Sequence, residues 1–457
     1  MKLFPSTYNY SCRINSRYTL INNTLTGALD IIENNIWNLV EGRKFSSIDG
    51  KPLSNLLERG YLYHDLKKED QMLVELYNSY TKRASSRPLR IVFCPSYQCN
   101  LRCTYCFQTD LPSNPNKFMS SKILDDSINA AEELSKEKSG KVDSVELFGG
   151  EPLLLKNKPA LKKIFRFAKE KDAPITIVTN GVMVKDLIYV LLPVKEKIRM
   201  LQITVDGPAE IHDKRRIFPS GKGSFDKISE GIDELLKNNI RANIRVNVDN
   251  TNIGYLPKFY EYLSKKKWLK HPYFNIMLAL VTDHSTLDYD DVIIPEEKLL
   301  EKIIRIYDKY PELEDAFGFY KFKPLRHILD LVNGAPNVSP KFVNCESNLL
   351  EMTLLCPDGY IYACGESVGY PEYAIGRFSP KLEFYPDKKK LWTDRTILNI
   401  KKCRTCKFAP LCGGGCAFAS ILIYKNNSKP ICERYQQVLD TFLRLRGEKI
   451  LKKYLVS

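Results

Sequence analysis

Cys99, Cys103 and Cys106 lie in one short run, Cys-Asn-Leu-Arg-Cys-Thr-Tyr-Cys-Phe, with C-x3-C-x2-C spacing. Three thiolates from one loop can hold three irons of a 4Fe–4S cluster. No further cysteine follows until Cys345, so the fourth iron has no local ligand. An open iron on a thiolate-held cluster is a place to bind and reduce a cofactor. The competing chemistry is a structural zinc knuckle. C-x2-C is common in zinc sites, but C-x3-C-x2-C followed by an aromatic is not a usual zinc spacing.

A series of strand ends follows. Val145–Phe148 reads as a short buried strand running into Gly149-Gly150-Glu151-Pro152. Paired glycines let backbone approach a ligand closely, and a carboxylate comes directly after them. Ile175–Val178 ends in Thr179-Asn180-Gly181, and Leu201–Val205 ends in Asp206-Gly207-Pro208. A basic run, His212-Asp213-Lys214-Arg215-Arg216, comes next. Ile244–Val248 alternates, putting Arg245 and Asn247 on one face. Singly, each is as well explained as a turn glycine or a solvated charge; in this order and spacing they are not.

These motifs resemble the radical S-adenosylmethionine (radical SAM) enzymes. The resemblance implies that the open iron chelates the amino and carboxylate groups of S-adenosylmethionine. One electron then cleaves it to methionine and a 5′-deoxyadenosyl radical. Cys99, Cys103 and Cys106 would hold that cluster. Gly149, Gly150, Glu151, Thr179, Asn180 and Arg216 would shape the cofactor pocket, with Phe107 the aromatic near the adenine. Arg216 is the first choice for the cofactor carboxylate and Arg215 the second.

A second cysteine series begins at Cys345. Thirteen residues lead to Gly359 and four more to Cys364; then come Cys403-x2-Cys406-x5-Cys412-x3-Cys416 and, after a gap, Cys432. A pair of zinc ribbons is the alternative. The pattern resembles the seven-cysteine SPASM domain, which implies two auxiliary iron–sulfur clusters and hence three 4Fe–4S clusters in all. By resemblance Cys403, Cys406, Cys412 and Cys432 hold one, and Cys345, Cys364 and Cys416 the other, leaving an open iron. Cys356 is a candidate fourth ligand. A two-residue hairpin turn at Asp358-Gly359 would pair Cys356 with Ile361 and put Cys356 and Cys364 on opposite faces, which argues against it.

The resemblance implies a maturase acting on a ribosomally made peptide or a protein, with a flavodoxin or ferredoxin as external one-electron donor. Anaerobic sulfatase-maturing enzymes carry an acidic base directly after the cysteine equivalent to Cys364. Here that position is Gly365, with Glu366 one further on. Glu366 is the candidate base, against the plainer reading of a solvated glutamate. The departure favours crosslink or thioether formation, with formylglycine formation as the alternative. An RNA-modifying radical enzyme would use the net charge of +15, and an electron-transfer protein would not need Gly149-Gly150-Glu151-Pro152.

Stepping out to the elements, strand and helix signals alternate from residue 86 to 310, as a parallel α/β layout requires. The family implies a partial (β/α)6 barrel with the cluster at the C-terminal strand ends. Residues 1–85 look like a small α+β unit: a strand at Tyr18, a helix over Ala28–Val40, a helix over Pro52–Gly60, a return strand at Tyr61–Tyr63 and a helix over Glu69–Tyr80. A polar linker, Lys82–Pro88, follows. This unit loosely resembles the winged-helix peptide-recognition domain found ahead of such barrels. A bridging segment, 311–344, containing Pro311, Pro324, Pro336 and Pro340, leads to the cysteine-rich domain, 345–457.

The chain has 457 residues, 44% hydrophobic, enough for two or three packed domains. No apolar run reaches membrane-spanning length and the N-terminus lacks a signal-peptide core, so no membrane partner is expected. Thirteen cysteines at metal-ligand spacing, rather than spread as a disulfide framework, imply a reducing, cytoplasmic setting. The basic residues are scattered, with no basic tail, so nucleic acid is not the expected partner.

Overall fold

The computed structural model describes residues 2–108, 116–137, 140–281, 293–335 and 339–456; Pro336 lies outside them. Six strands, β1 (Leu89–Phe93), β2 (Val142–Leu147), β3 (Ile175–Thr179), β4 (Ile198–Thr204), β5 (Ala242–Val248) and β6 (Phe274–Leu280), pair in chain order, all parallel. Register stacks apolar residues into rows: Phe93 beside Leu147, Leu147 beside Ile177, Ile177 beside Leu201. All four are fully buried in a core shared with the crossover helices, for example Ile164, Leu187 and Ile228. The opposite face is polar and carries Arg90, Glu146, Thr176, Gln202, Thr204, Arg245 and Asn247. Two-residue periodicity therefore makes a dry outer face and a wet interior. This is the expected partial barrel. Its helices include Ser121–Glu137, Lys158–Glu170, Phe225–Lys237 and Glu296–Lys309.

The sheet does not stop at the barrel. Strand β7 (Met352–Leu355) lies parallel to β1, and β8 (Tyr360–Tyr362) returns antiparallel. The hairpin joining them differs from expectation. Leu354 pairs with Tyr362 and Leu355 with Ile361, and Cys356 N bonds Tyr360 O, so the loop is Pro357-Asp358-Gly359, three residues rather than two. Gly359 takes φ +85 there, the left-handed residue that three-residue hairpins require. The slip of one residue puts Cys356 level with Tyr360 and on the same face parity as Cys364, not the opposite face. The bridging segment contains two helices, Glu312–Phe317 and Lys323–Val332.

The N-terminal unit is a three-stranded meander, Asn9–Arg13, Tyr18–Asn23 and Leu29–Glu33, followed by helices Asn34–Glu41, Gly50–Glu58 and Lys67–Ser85. The helix expected over Ala28–Val40 is half strand. Ile31 and Ile32 pair across the ladder with Leu20 and Thr19, and β-branched side chains suit that surface. Asn34 ends the strand, bonding Thr19 Oγ1 and Asn15 O. The expected polar linker is largely helical, because the last helix runs to Ser85. The unit is docked, not appended. Tyr8, Leu25 and Leu73 share a core with Phe342, Ile397, Ile400 and Cys403, and Tyr10 Oη donates to Asp440 (2.8 Å). No helix among the described residues is long and apolar enough to cross a membrane.

Candidate iron–sulfur and cofactor site

The cysteine run leaves the end of β1 and is pinned from three sides. On one side Gly150 N donates to Ser96 O (3.1 Å) and Glu151 N to Gln98 O (2.9 Å). A Cβ on Gly150 would lie 2.2 Å from Tyr97 O, and one on Gly149 (φ +136) 2.6 Å from Cys94 Sγ. Only glycine lets the end of β2 dock against the chain feeding Cys99. On the second side Asn180 Nδ2 donates to Asn100 Oδ1 (2.7 Å) and lies 3.6 Å from Cys99 Sγ. On the third, Cys103 pairs directly with Arg216 in a two-residue antiparallel ladder, and Thr104 N donates to Arg215 O (2.9 Å).

Glu151 is buried and serves as a tie. It accepts from Thr179 Oγ1 (2.6 Å), Leu153 N (2.8 Å) and Asn180 N (2.6 Å), locking the end of β2 to the end of β3. Burial raises its pKa against these bonds. Gly149, Gly150, Glu151, Thr179 and Asn180 thus meet around the Cys99 end of the loop. Phe107, directly after Cys106 at the other end of the run, is 42% exposed.

The two arginines separate cleanly. Arg215 is consumed by Asp206 (3.2 Å) and Asp249 (2.7 Å). Arg216 is equally buried but has no carboxylate within ion-pair distance among the described residues; its Nη1 donates to Tyr105 Oη (2.8 Å) and its Nε has no partner. Tyr105 is the hub that sequence reasoning missed. Its hydroxyl also bonds Asp206 (2.5 Å) and Asn247 (3.2 Å), and its ring lies 4.9 Å under the Arg215 guanidinium. The available signals were its position inside the cysteine run and the fact that Asp206 and Asp249 each directly follow an apolar strand.

None of the thirteen cysteines is in a disulfide. Burial, then Glu151 and the neighbouring Cys103 and Cys106, push Cys99 up to about 12. Burial pushes Cys103 up to about 11 although Arg216 opposes it. Three half-buried thiols from one loop beside an under-satisfied guanidinium fit a thiolate-held cluster, which would give Arg216 its counter-charge. Among the described residues no Cys, His, Asp or Glu group is gathered tightly enough for one metal ion; ligands of a four-iron cube stand farther apart than those of a single zinc.

The C-terminal cysteines form two neighbourhoods. Cys403 is raised to about 11 by burial, then by Cys406 and Cys432; Cys412 reaches about 12 through burial, Glu433 and Cys403. Cys364 is raised by burial, Glu366, Cys416 and Cys345. The resemblance assigns Cys403, Cys406, Cys412 and Cys432 to one cluster and Cys345, Cys364 and Cys416 to the other. Cys412-Gly-Gly-Gly-Cys416 links them. Its glycines take φ of 70, 87 and 75, and a Cβ would meet Val343 O at 2.2 Å (Gly413) or Ile431 O at 2.0 Å (Gly415). One residue unannounced by sequence holds this together. Arg395, 1% exposed, donates to Gly414 O (2.7 Å), Gly415 O (3.3 Å), Ser420 Oγ (3.2 Å), Lys429 O (2.7 Å) and Asn427 O, all neutral acceptors. Thiols of both sets surround it electrostatically.

Cys356 belongs to neither set. It is fully buried beside Cys94 and Tyr97, at the top of β7. Cys364 continues four residues below Tyr360, roughly 13 Å along the strand direction. Cys356 is separated by length rather than by face. Glu366 lies with Cys364 and Cys416 and is felt at Arg245 of the barrel. A Cβ on Gly365 would lie 3.2 Å from the Phe148 ring.

Residues 93–263 match the model of the radical SAM superfamily. A cysteine-type anaerobic sulfatase-maturating enzyme of Clostridium novyi is 26% identical over 364 residues, covering 76% of this chain and 92% of the relative. Among solved structures, native anSMEcpe with bound AdoMet superposes with TM-score 0.61 at 19% identity, over 81% of this chain and all of the other. Streptococcus suis SuiB bound to precursor peptide SuiA superposes with TM-score 0.51 at 14% identity, over 95% of this chain and all of the other. The match and the cysteine loop on its glycine and asparagine supports identify residues 93–263 as a radical SAM domain, and the superpositions give the chain the fold of these SPASM-type neighbours.

Proposed function

We propose that this protein is a radical SAM/SPASM maturase that modifies a ribosomally made peptide, forming a crosslink or thioether. Cys99, Cys103 and Cys106 hold the radical-generating 4Fe–4S cluster. Cys403, Cys406, Cys412 and Cys432 hold one auxiliary cluster, and Cys345, Cys364 and Cys416 another with an open iron. Bound there, cluster and S-adenosylmethionine would supply radical chemistry able to remove a hydrogen atom from a substrate carbon. The chain's own residues orient and exclude water. Arg216 binds the cofactor carboxylate, the end of β2 faces its amino group, and Tyr105 fixes Arg216 through one hydrogen bond. The partners of this reading are a precursor peptide and a flavodoxin- or ferredoxin-type electron donor. Its setting is the cytoplasm, where free thiols persist.

The observation carrying the choice of reaction is the packing at Gly365. Sulfatase maturation would call for an acid there; the position is glycine, and a Cβ on it would sit tight against the Phe148 ring at 3.2 Å. The N-terminal unit adds support, since the SuiB superposition spans 95% of this chain where anSMEcpe spans 81%. Formylglycine formation remains the second reading, favoured by the near full-length match to a sulfatase-maturating enzyme and by Glu366 beside Cys364. The deciding experiment uses reconstituted protein, S-adenosylmethionine and dithionite. A peptide encoded beside this gene should lose two hydrogens per modification. A cysteine-containing sulfatase peptide should stay unmodified; its conversion to an aldehyde would reverse the choice.

A further inference from the structure

Among the described residues, charge at the barrel mouth does not balance. Asp206 and Asp249 are spent on Arg215, and Glu151 on Thr179, Leu153 and Asn180. Arg216 has the cluster thiolates and the cofactor carboxylate as prospective partners. Arg245 has neither. It projects from the polar face of β5, beside Thr204 of β4 and Met277 of β6, while Ile244, Val246 and Val248 fill the outer core. Its one hydrogen bond among the described residues runs from Nε to Asn247 Oδ1 (2.8 Å). Asn247 in turn donates to Tyr105 Oη, which bonds Arg216. This chain aims the guanidinium from the cysteine loop into the barrel interior, with its two Nη groups left to be used. Lys321, from the turn before helix Lys323–Val332, adds a second positive charge; Asp206 and then Glu366 act on Arg245 electrostatically, but neither is within ion-pair distance of it. Withdrawing a guanidinium from water without an anion is costly, and a bound carboxylate removes that cost through charge-assisted bonds.

We propose that Arg245, assisted by Lys321, is the binding site for a substrate carboxylate, so that the peptide carries an acidic group next to the residue that is modified. This deepens the maturase reading and rests on it. An aspartate or glutamate side chain and a peptide C-terminus share that chemistry, and the test separates them.

The reconstituted holoenzyme with S-adenosylmethionine bound is titrated calorimetrically with three tripeptides: Ac-Ala-Glu-Ala-NH2, Ac-Ala-Gln-Ala-NH2 and Ac-Ala-Gln-Ala-OH. The glutamate peptide should bind about tenfold tighter than its glutamine amide, the worth of one charged hydrogen-bonded pair. Preference for the free-acid peptide instead would assign the site to a C-terminus. Either preference should vanish in Arg245→Met and shrink in Lys321→Met; Arg245→Lys, which keeps the charge, should retain part of it should the methionine variant fail to fold. Equal affinities, no binding at millimolar peptide, or a preference that survives Arg245→Met would overturn the proposal. The underlying reading is tested apart: wild-type protein without peptide should cleave S-adenosylmethionine to 5′-deoxyadenosine, and failure there defeats that reading whatever the tripeptides do.

Discussion

The loop at Cys99–Cys106 and the region from Cys345 to Cys432 both gather cysteine thiols, by opposite means. The first takes three cysteines from one run and borrows support from the ends of β2, β3 and the Arg216 ladder. The second takes cysteines spread along the chain and centres them on a single buried cation, Arg395. A contiguous run closes at little entropic cost and needs only docking. Dispersed cysteines close long loops, whose entropy must be offset by an internal strut. Damage should therefore stay local in the first region and spread in the second.

The sharpest break is in the first region. Cys103→Ala should abolish 5′-deoxyadenosine formation, because two local thiolates are too few for the cluster. Cys12→Ala should not, since Cys12 sits beside Tyr10 and Asp440 and no other cysteine acts on it. Chromatographic quantitation of 5′-deoxyadenosine checks both, and wild-type yield from Cys103→Ala would sink the assignment. Gly150→Ala should come close to the cysteine variant, because its methyl group would drive into Tyr97 O.

In the second region Arg395→Met orphans carbonyls from two loops at once, a loss on the order of 4 kcal/mol from buried acceptors left unpaired. Iron analysis should show auxiliary iron depleted while uncoupled 5′-deoxyadenosine formation persists. Full iron content would mean that the glycine run holds the region unaided.

The adjacent arginines sharpen the comparison within one site. Arg215→Met strands two buried carboxylates and should cost roughly 3–5 kcal/mol in denaturant unfolding. Arg216→Lys should leave unfolding nearly unchanged and raise KM for S-adenosylmethionine instead, about tenfold for one bidentate contact weakened. The opposite pattern would exchange their roles.

What was legible in the sequence follows the same divide. The cysteine spacings, Gly149-Gly150-Glu151 and the strand ends are local patterns, and the structure brings them together around one loop. The barrel strands were legible because β-branched runs end in polar turns. Arg395 and Tyr105 were not, because their importance lies in partners up to 142 residues away in sequence. The Leu29–Glu33 strand was misread for a related reason: Leu29, Ile32, Ile36 and Leu39 fit a helical period, and only pairing with Tyr18–Asn23 decides otherwise. The hairpin at Gly359 slipped one residue because a dipeptide such as Asp-Gly fits two- and three-residue loops alike.

That slip sets the smallest prediction. With the two-residue turn, facing would keep Cys356 from joining Cys345, Cys364 and Cys416. With the observed turn facing permits it, and distance along the strands together with the Cys94 contact keeps it out. Cys356→Ala should then retain all its iron and lose only about 1 kcal/mol, the cost of deleting one buried heavy atom, comparable to Ile→Val. Inserting one residue into Pro357-Asp358-Gly359 would change the facing again and should likewise leave iron unchanged, because the length argument does not depend on face. Loss of one auxiliary cluster in Cys356→Ala, seen in the iron count and the visible charge-transfer band, would make Cys356 a ligand and close the site assigned here as open.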